Sequence, residues 1–227
     1  MTRFRAAIFD LDGVLADSAH AHFVAWKRIA DSLDIRFDER DNEALKGVDR
    51  MGSLRHILAL GNMTLPTVEM DALAARKNGY YLDAVAEMGP GDILPGARQL
   101  VLHARDVRLG CAVASASRNA PLLLRKLQIE HLFDYVADAG AIANPKPAPD
   151  IFLACADALG VHPSQAIGIE DAEAGVAAIK DAGMFAVGIG DPLALAAADI
   201  VYPATAAVDL DAVLTSGSGF ACDHARW

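Results

Sequence analysis

Two carboxylates, Asp10 and Asp12, stand two residues apart where an apolar run, Ala6-Ala7-Ile8-Phe9, gives out, and Gly13 follows them. A buried strand that ends in charge needs a partner for that charge, because an unpaired carboxylate near a core is costly. A hard cation such as Mg2+ meets the need, taking oxygen ligands from a few carboxylates and from substrate phosphate. A solvated turn meets it too, and Asp-x-Asp alone leaves both readings open. Three further polar groups follow later apolar strands: Ser115-Ala116-Ser117, Asn144-Pro145-Lys146-Pro147 and Glu170-Asp171. Asp10 and Asp171, with Glu170 beside them, offer hard oxygen ligands. Ser115 and Lys146 offer a hydroxyl and a cation for phosphate oxygens. An aspartate carboxylate is itself a nucleophile for phosphoryl transfer.

The elements that must position these groups read as follows. Residues 5–10 form a first strand, and from Ser18 the period turns helical, with Phe23, Trp26, Ile29, Ala30 and Leu33 on one side and Asp17 or Ser18 as the cap. Further helices are expected over Asp38–Leu45, Arg50–Leu60 and Thr67–Met88, the last capped by Thr67. Gly89-Pro90-Gly91-Asp92 suits a hinge. Beyond it strands (Leu109–Ala114, Tyr135–Ala137, Ala166–Ile169, Phe185–Ile189, with Ile200-Val201 as a last one) alternate with helices (to Arg105, then Asn119–Leu127, Asp150–Leu159 and Ala172–Ala182). Such alternation, with strands apolar on both faces, predicts an α/β fold, a doubly wound parallel sheet. The expected organisation is a core over 1–15 and 91–227, with an all-helical cap over 16–90 and a tail from about 215 without clear periodicity. Ligands bind beyond the carboxyl ends of strands in open α/β sheets, so all four polar groups are expected in one crevice.

Composition narrows the classes. A chain of 227 residues with 53% hydrophobic and 22% charged residues is that of a folded globular protein. A net charge of −10 argues against nucleic acid or an anionic membrane as partner. No apolar run approaches membrane-spanning length. Cys111, Cys155 and Cys222 are odd in number and widely spaced, which suits a reducing compartment. A cytoplasmic monomer is expected.

Asp10-Leu11-Asp12-Gly13-Val14, Ser115, Lys146 and Glu170-Asp171 resemble the four motifs of the haloacid dehalogenase superfamily. The wider context resembles its β-phosphoglucomutase branch: Phe9 to Trp26, Leu45-Lys46-Gly47-Val48-Asp49-Arg50, Ala75-Arg76-Lys77-Asn78, Ala114 to Asn119, Lys146 to Phe152 and Ile169 to Asp171. The resemblance implies a phosphomutase acting on β-glucose 1-phosphate through glucose 1,6-bisphosphate, with a sugar-phosphate or phosphoglycolate phosphatase as the alternative. It implies Asp10 as nucleophile and Asp12 as general acid/base, with Ser115 and Lys146 holding the transferring phosphate. Mg2+ would sit on Asp10, the Asp12 carbonyl, Glu170 and Asp171. Arg50, Ser117 and Asn119 would hold the non-reacting phosphate and Arg118 would add charge beside it. Gly47, Val48, Ser53, His22, Lys77 and Trp26 would approach the sugar from the cap. It also implies a cis Lys146-Pro147 bond. Two departures stand out. Asp49 puts a carboxylate beside Arg50, where a small polar residue is common, and Arg118 replaces the commoner lysine.

Overall fold

Six parallel strands run through the centre of the molecule in the order β3-β2-β1-β4-β5-β6, as seen in a computed structural model that describes residues 3–216. They are β1 (Ala6–Phe9), β2 (Gly110–Val113), β3 (Tyr135–Val136), β4 (Ala166–Glu170), β5 (Phe185–Ile189) and β6 (Ile200–Tyr202). Every residue of β1, β4 and β5 is buried. Side chains alternate along each strand, so both faces must be covered. Ala7, Phe9, Cys111, Val113, Ile167 and Ile169 face one apolar cluster, packed against α5 (Ala97–Asp106), α6 (Ala120–Lys126) and α9 (Leu210–Ser216). Ala6, Ile8, Ala112, Ala166 and Ala186 face the other, against α7 (Asp150–Ala158) and α8 (Glu173–Asp181).

Between β1 and α5 the chain forms α1 (Ala19–Asp31), α2 (Glu39–Glu43), α3 (Arg50–Leu60) and α4 (Thr67–Glu87). These helices bury their own cluster, centred on Trp26, Ile29, Phe37, Leu54, Ile57 and Leu58. The two connections to the sheet run side by side. Ala16 bridges Ile93 in antiparallel fashion, Leu94 N–H donates to Leu15 C=O at 3.0 Å and Asp17 N–H to Asp92 C=O at 3.0 Å. From the far edge, Thr205 Oγ1 donates to Val14 C=O at 2.9 Å and fastens the same crossing.

Several sequence expectations change in detail. Ser18 occupies the cap position of α1 but makes no capping bond, because its hydroxyl is turned to Asp12. Thr67 is the first residue of α4, behind Pro66, and does not cap it. Asp38 caps α2 in a reciprocal box with Asp41. The helix α9 carries no expectation from the sequence; Leu210, Val213 and Leu214 bury one short face. Most of the expected tail, with Cys222, lies outside the described residues. Cys111 and Cys155 are buried free thiols, and burial pushes both up to about 12, so they are inert packing residues. No helix among the described residues is long and apolar enough to cross a membrane.

Candidate active site

Asp10 follows β1 directly, Ser115 lies just past β2, Glu170 ends β4, and Lys146 sits on the loop after β3. Parallel strands in register bring these ends together. Lys146 is the hub: its Nζ donates to Asp10 Oδ1 at 2.6 Å and to Glu170 Oε2 at 2.7 Å, with all three residues buried. The Lys146-Pro147 bond is cis. Burial alone would drive the ammonium toward neutrality, but the two carboxylates outweigh it and raise the Lys146 pKa. Glu170 is further committed through Oε1, which accepts from Asp171 N–H and Ala172 N–H, each at 3.1 Å. Gly175 makes its room, since a Cβ there would stand 1.9 Å from Glu170 Oε2.

Asp10, Glu170 and Asp171 place one carboxylate oxygen each within 4.8 Å of one another. Burial raises the pKa of all three, and carboxylate repulsion adds to it, from Asp12 on Asp10, from Asp10 on Glu170, and from Glu170 and Asp10 on Asp171. This is the environment a bound cation relieves. The Asp12 carboxylate is not part of that group. Gly13 brings the loop hard against Asp171, at φ +89° with a Cβ excluded by Asp171 Oδ2 2.2 Å away.

Asp12 points instead at hydroxyls and the helical layer. It accepts from Ser18 Oγ at 2.5 Å and Ser115 Oγ at 3.4 Å, and His22 Nε2 lies 3.6 Å away. Burial raises its pKa, opposed by the two hydroxyls and by Lys77 and Lys146. His22 Nδ1 is 2.8 Å from Lys77 Nζ. An ammonium has no lone pair, so when Lys77 is protonated it donates and Nδ1 accepts. Lys77 is almost fully buried, against Trp26 and Tyr81, and burial with nearby Arg50 lowers its pKa from 10.5 to about 7.

A cleft of about 590 Å³ opens between sheet and helices. Of the residues singled out in the sequence, Asp10, Asp12, His22, Trp26, Gly47, Val48, Arg50, Ser53, Lys77, Ser117, Arg118, Asn119 and Asp171 line it. Ser115, Lys146 and Glu170 lie behind that lining. Asp49 lines the rim without opposing Arg50: its carboxylate caps α3, accepting from Met51 N–H at 2.9 Å and Gly52 N–H at 3.1 Å. Four residues carry no expected role yet belong to the site. Ser18 holds Asp12. Lys46 approaches Asp171 at 3.9 Å. Tyr81 stacks on His22 with ring centres 4.1 Å apart. Asn78 accepts from both Arg50 and Asn119. Lys46 and Asn78 stand inside the two cap motifs read in the sequence, which was the available signal.

A haloacid dehalogenase-like hydrolase profile matches residues 4–183, most of the chain. The chain belongs to the haloacid dehalogenase-like hydrolases. Within that family it is 44% identical over 209 residues to β-phosphoglucomutase of Bacillus subtilis, covering 91% of this chain and 92% of the relative. It is 33% identical over 189 residues to the fructose-1-phosphate phosphatase YqaB of Escherichia coli, covering 82% and 97%. The crystal structure of β-phosphoglucomutase from Clostridium difficile superimposes with a TM-score of 0.93 at 40% identity, covering 96% and 98%. The chain is therefore an enzyme homologous to β-phosphoglucomutase, on the haloacid dehalogenase core.

Proposed function

We propose that the protein interconverts β-D-glucose 1-phosphate and glucose 6-phosphate through an aspartyl-phosphate and glucose 1,6-bisphosphate. One observation carries this: the same cleft offers a nucleophile backed by a buried lysine at Asp10, and a second set of phosphate donors in Arg50, Ser117, Arg118 and Asn119. A phosphatase needs the first; a mutase must hold two phosphates at once. The identity to β-phosphoglucomutase supports the same choice.

In the proposed cycle, Asp10 carries a phosphoryl group. Asp12 takes the proton of the sugar 6-hydroxyl as that oxygen attacks phosphorus and the bond to Asp10 breaks, giving the bisphosphate. The bisphosphate turns over in the cleft. Asp10 then attacks the 1-phosphate, and Asp12 returns its proton to the departing sugar oxygen. A carboxyl whose burial raises its pKa suits both directions of that transfer. Lys146 holds Asp10 in line and lies close to the developing equatorial charge. The carboxylates of Asp10 and Asp171, the Asp12 carbonyl and, behind them, Glu170 would hold Mg2+. When bound, that ion supplies positive charge to the transferring phosphoryl oxygens. We take residues 16–90 as the lid that excludes water, over a core of 1–15 and 91–227. One chain supplies both walls of the cleft, which suits a monomer, and the buried free thiols suit the cytoplasm.

The deciding experiment supplies β-glucose 1-phosphate, Mg2+ and a trace of glucose 1,6-bisphosphate, and follows glucose 6-phosphate and free phosphate together. Glucose 6-phosphate should dominate, and Asp10→Asn should abolish its formation. Prompt phosphate release with little glucose 6-phosphate would establish a phosphatase instead.

A further inference from the structure

Arg50 and Asn119 come from opposite walls of the cleft, α3 of the helical layer and the turn that opens α6 on the sheet. One atom joins them. Asn78 Oδ1, from α4, accepts from Arg50 Nη2 at 2.7 Å and from Asn119 Nδ2 at 2.9 Å. The orientation of the amides is forced. A guanidinium only donates, so Asn78 must turn its oxygen inward, and Asn119 must then present its NH2. The surroundings are cationic. Burial lowers the Arg50 pKa and nearby Arg118 lowers it further, and neither guanidinium pairs with a carboxylate among the described residues. The neighbouring carboxylate, Asp49, is spent on the backbone of α3. An oxygen acceptor ringed by a guanidinium and an amide NH2, beside a second guanidinium, is what a phosphate oxygen would experience.

We infer that Asn78 is a positioning residue whose amide oxygen stands in for the non-reacting phosphate, holding Arg50 and Asn119 aligned across the cleft and yielding them when the sugar phosphate arrives. This rests on the assignment of Arg50 and Asn119 to that phosphate. The neutrality of the stand-in matters. A hydrogen bond with an ionised partner is about twice as strong as one between neutral groups; the Asn119 bond to Asn78 is neutral on both sides and the Arg50 bond is charged only on its donor. A dianionic phosphate therefore displaces an amide oxygen from these donors, whereas a carboxylate at the same place would hold Arg50 against it. The donors stay satisfied without a ligand, and the stand-in yields to a dianion.

Three variants test this with β-glucose 1-phosphate as the varied substrate. Asn78→Asp should raise KM at least tenfold while kcat falls less than twofold. Asn78→Ala, which removes the stand-in without adding a competitor, should raise KM only about threefold, again mainly through KM. Arg50→Ala reports on the underlying assignment by itself. If Arg50→Ala leaves KM unchanged, the phosphate is held elsewhere and the assignment fails. If Arg50→Ala raises KM but Asn78→Asp does not, the assignment stands and the stand-in role is overturned. Equal losses in both Asn78 variants, spread over KM and kcat with a lowered melting temperature, mark Asn78 as a packing residue and overturn it as well.

Discussion

The two walls of the cleft are held together by different means. On the sheet side, Lys146, Asp10 and Glu170 form a buried ionic lattice with two short bonds, of which only Asp10 reaches the cleft. On the helical side, Arg50, Asn78 and Asn119 share neutral or singly charged hydrogen bonds at half-buried positions, and Lys77 leans on a neutral imidazole. The difference follows the work proposed for each wall. Groups that align the nucleophile serve best when fixed before substrate arrives, because preorganised charge costs no rearrangement at the moment of reaction. Groups that receive a large, twofold-charged ligand must let go of what they hold.

The contrast can be broken most severely at Lys146. Lys146→Met leaves two buried carboxylates facing each other, and removing one partner of a buried ionic cluster costs about 3–5 kcal/mol. Phosphoryl transfer should vanish and denaturant unfolding should shift by that amount; a variant of natural stability would show the lattice to be dispensable. Arg50→Ala should lose one charge-assisted contact, about 1.5–3 kcal/mol, and lower kcat/KM roughly ten- to a hundredfold while slow hydrolysis persists. Retained mutase turnover in steady-state assays would move the second phosphate away from the helical wall.

Lys77 gives a smaller effect with a defined sign. Its pKa falls from 10.5 to about 7 on folding, so between those values the unfolded chain binds more protons and stability rises with pH. Lys77→Met should therefore raise the melting temperature most at pH 7 and below, with the gain shrinking toward pH 10.5. A gain independent of pH contradicts a charge buried at cost. The smallest change expected is at Asp49. Asp49→Ala removes the cap of α3, worth about 1 kcal/mol, and Asp49→Ser should retain most of it in thermal melts.

The sheet wall was the legible one. Asp10, Ser115 and Glu170-Asp171 each end an apolar run, Lys146 follows the third strand on its loop, and parallel strands leave such ends only one place to meet. The helical wall was legible as a set of residues and not as a set of contacts. Asn78 follows Lys77 in sequence, but a helix turns about 100° per residue, so one faces His22 and the other Arg50. No spacing rule tells which partner the hydroxyl of a cap residue takes, and Ser18 donates to a carboxylate rather than bonding the backbone of its own helix. Asp49 was ambiguous for a similar reason. Whether its charge opposes the phosphate or caps α3 depends on a side-chain torsion that the sequence does not show.

The crossing at Ala16 and Ile93 has a consequence for how such a chain can change. Both ends of the helical insertion leave the core at neighbouring points, and Thr205 pins the crossing from behind. To the sheet, everything from Asp17 to Asp92 amounts to one tight turn, whatever its length, since lengthening a closed loop adds little entropy cost. The insertion can therefore be exchanged like a cartridge. A lineage could exchange the helical layer while the strand ends beneath stay in place.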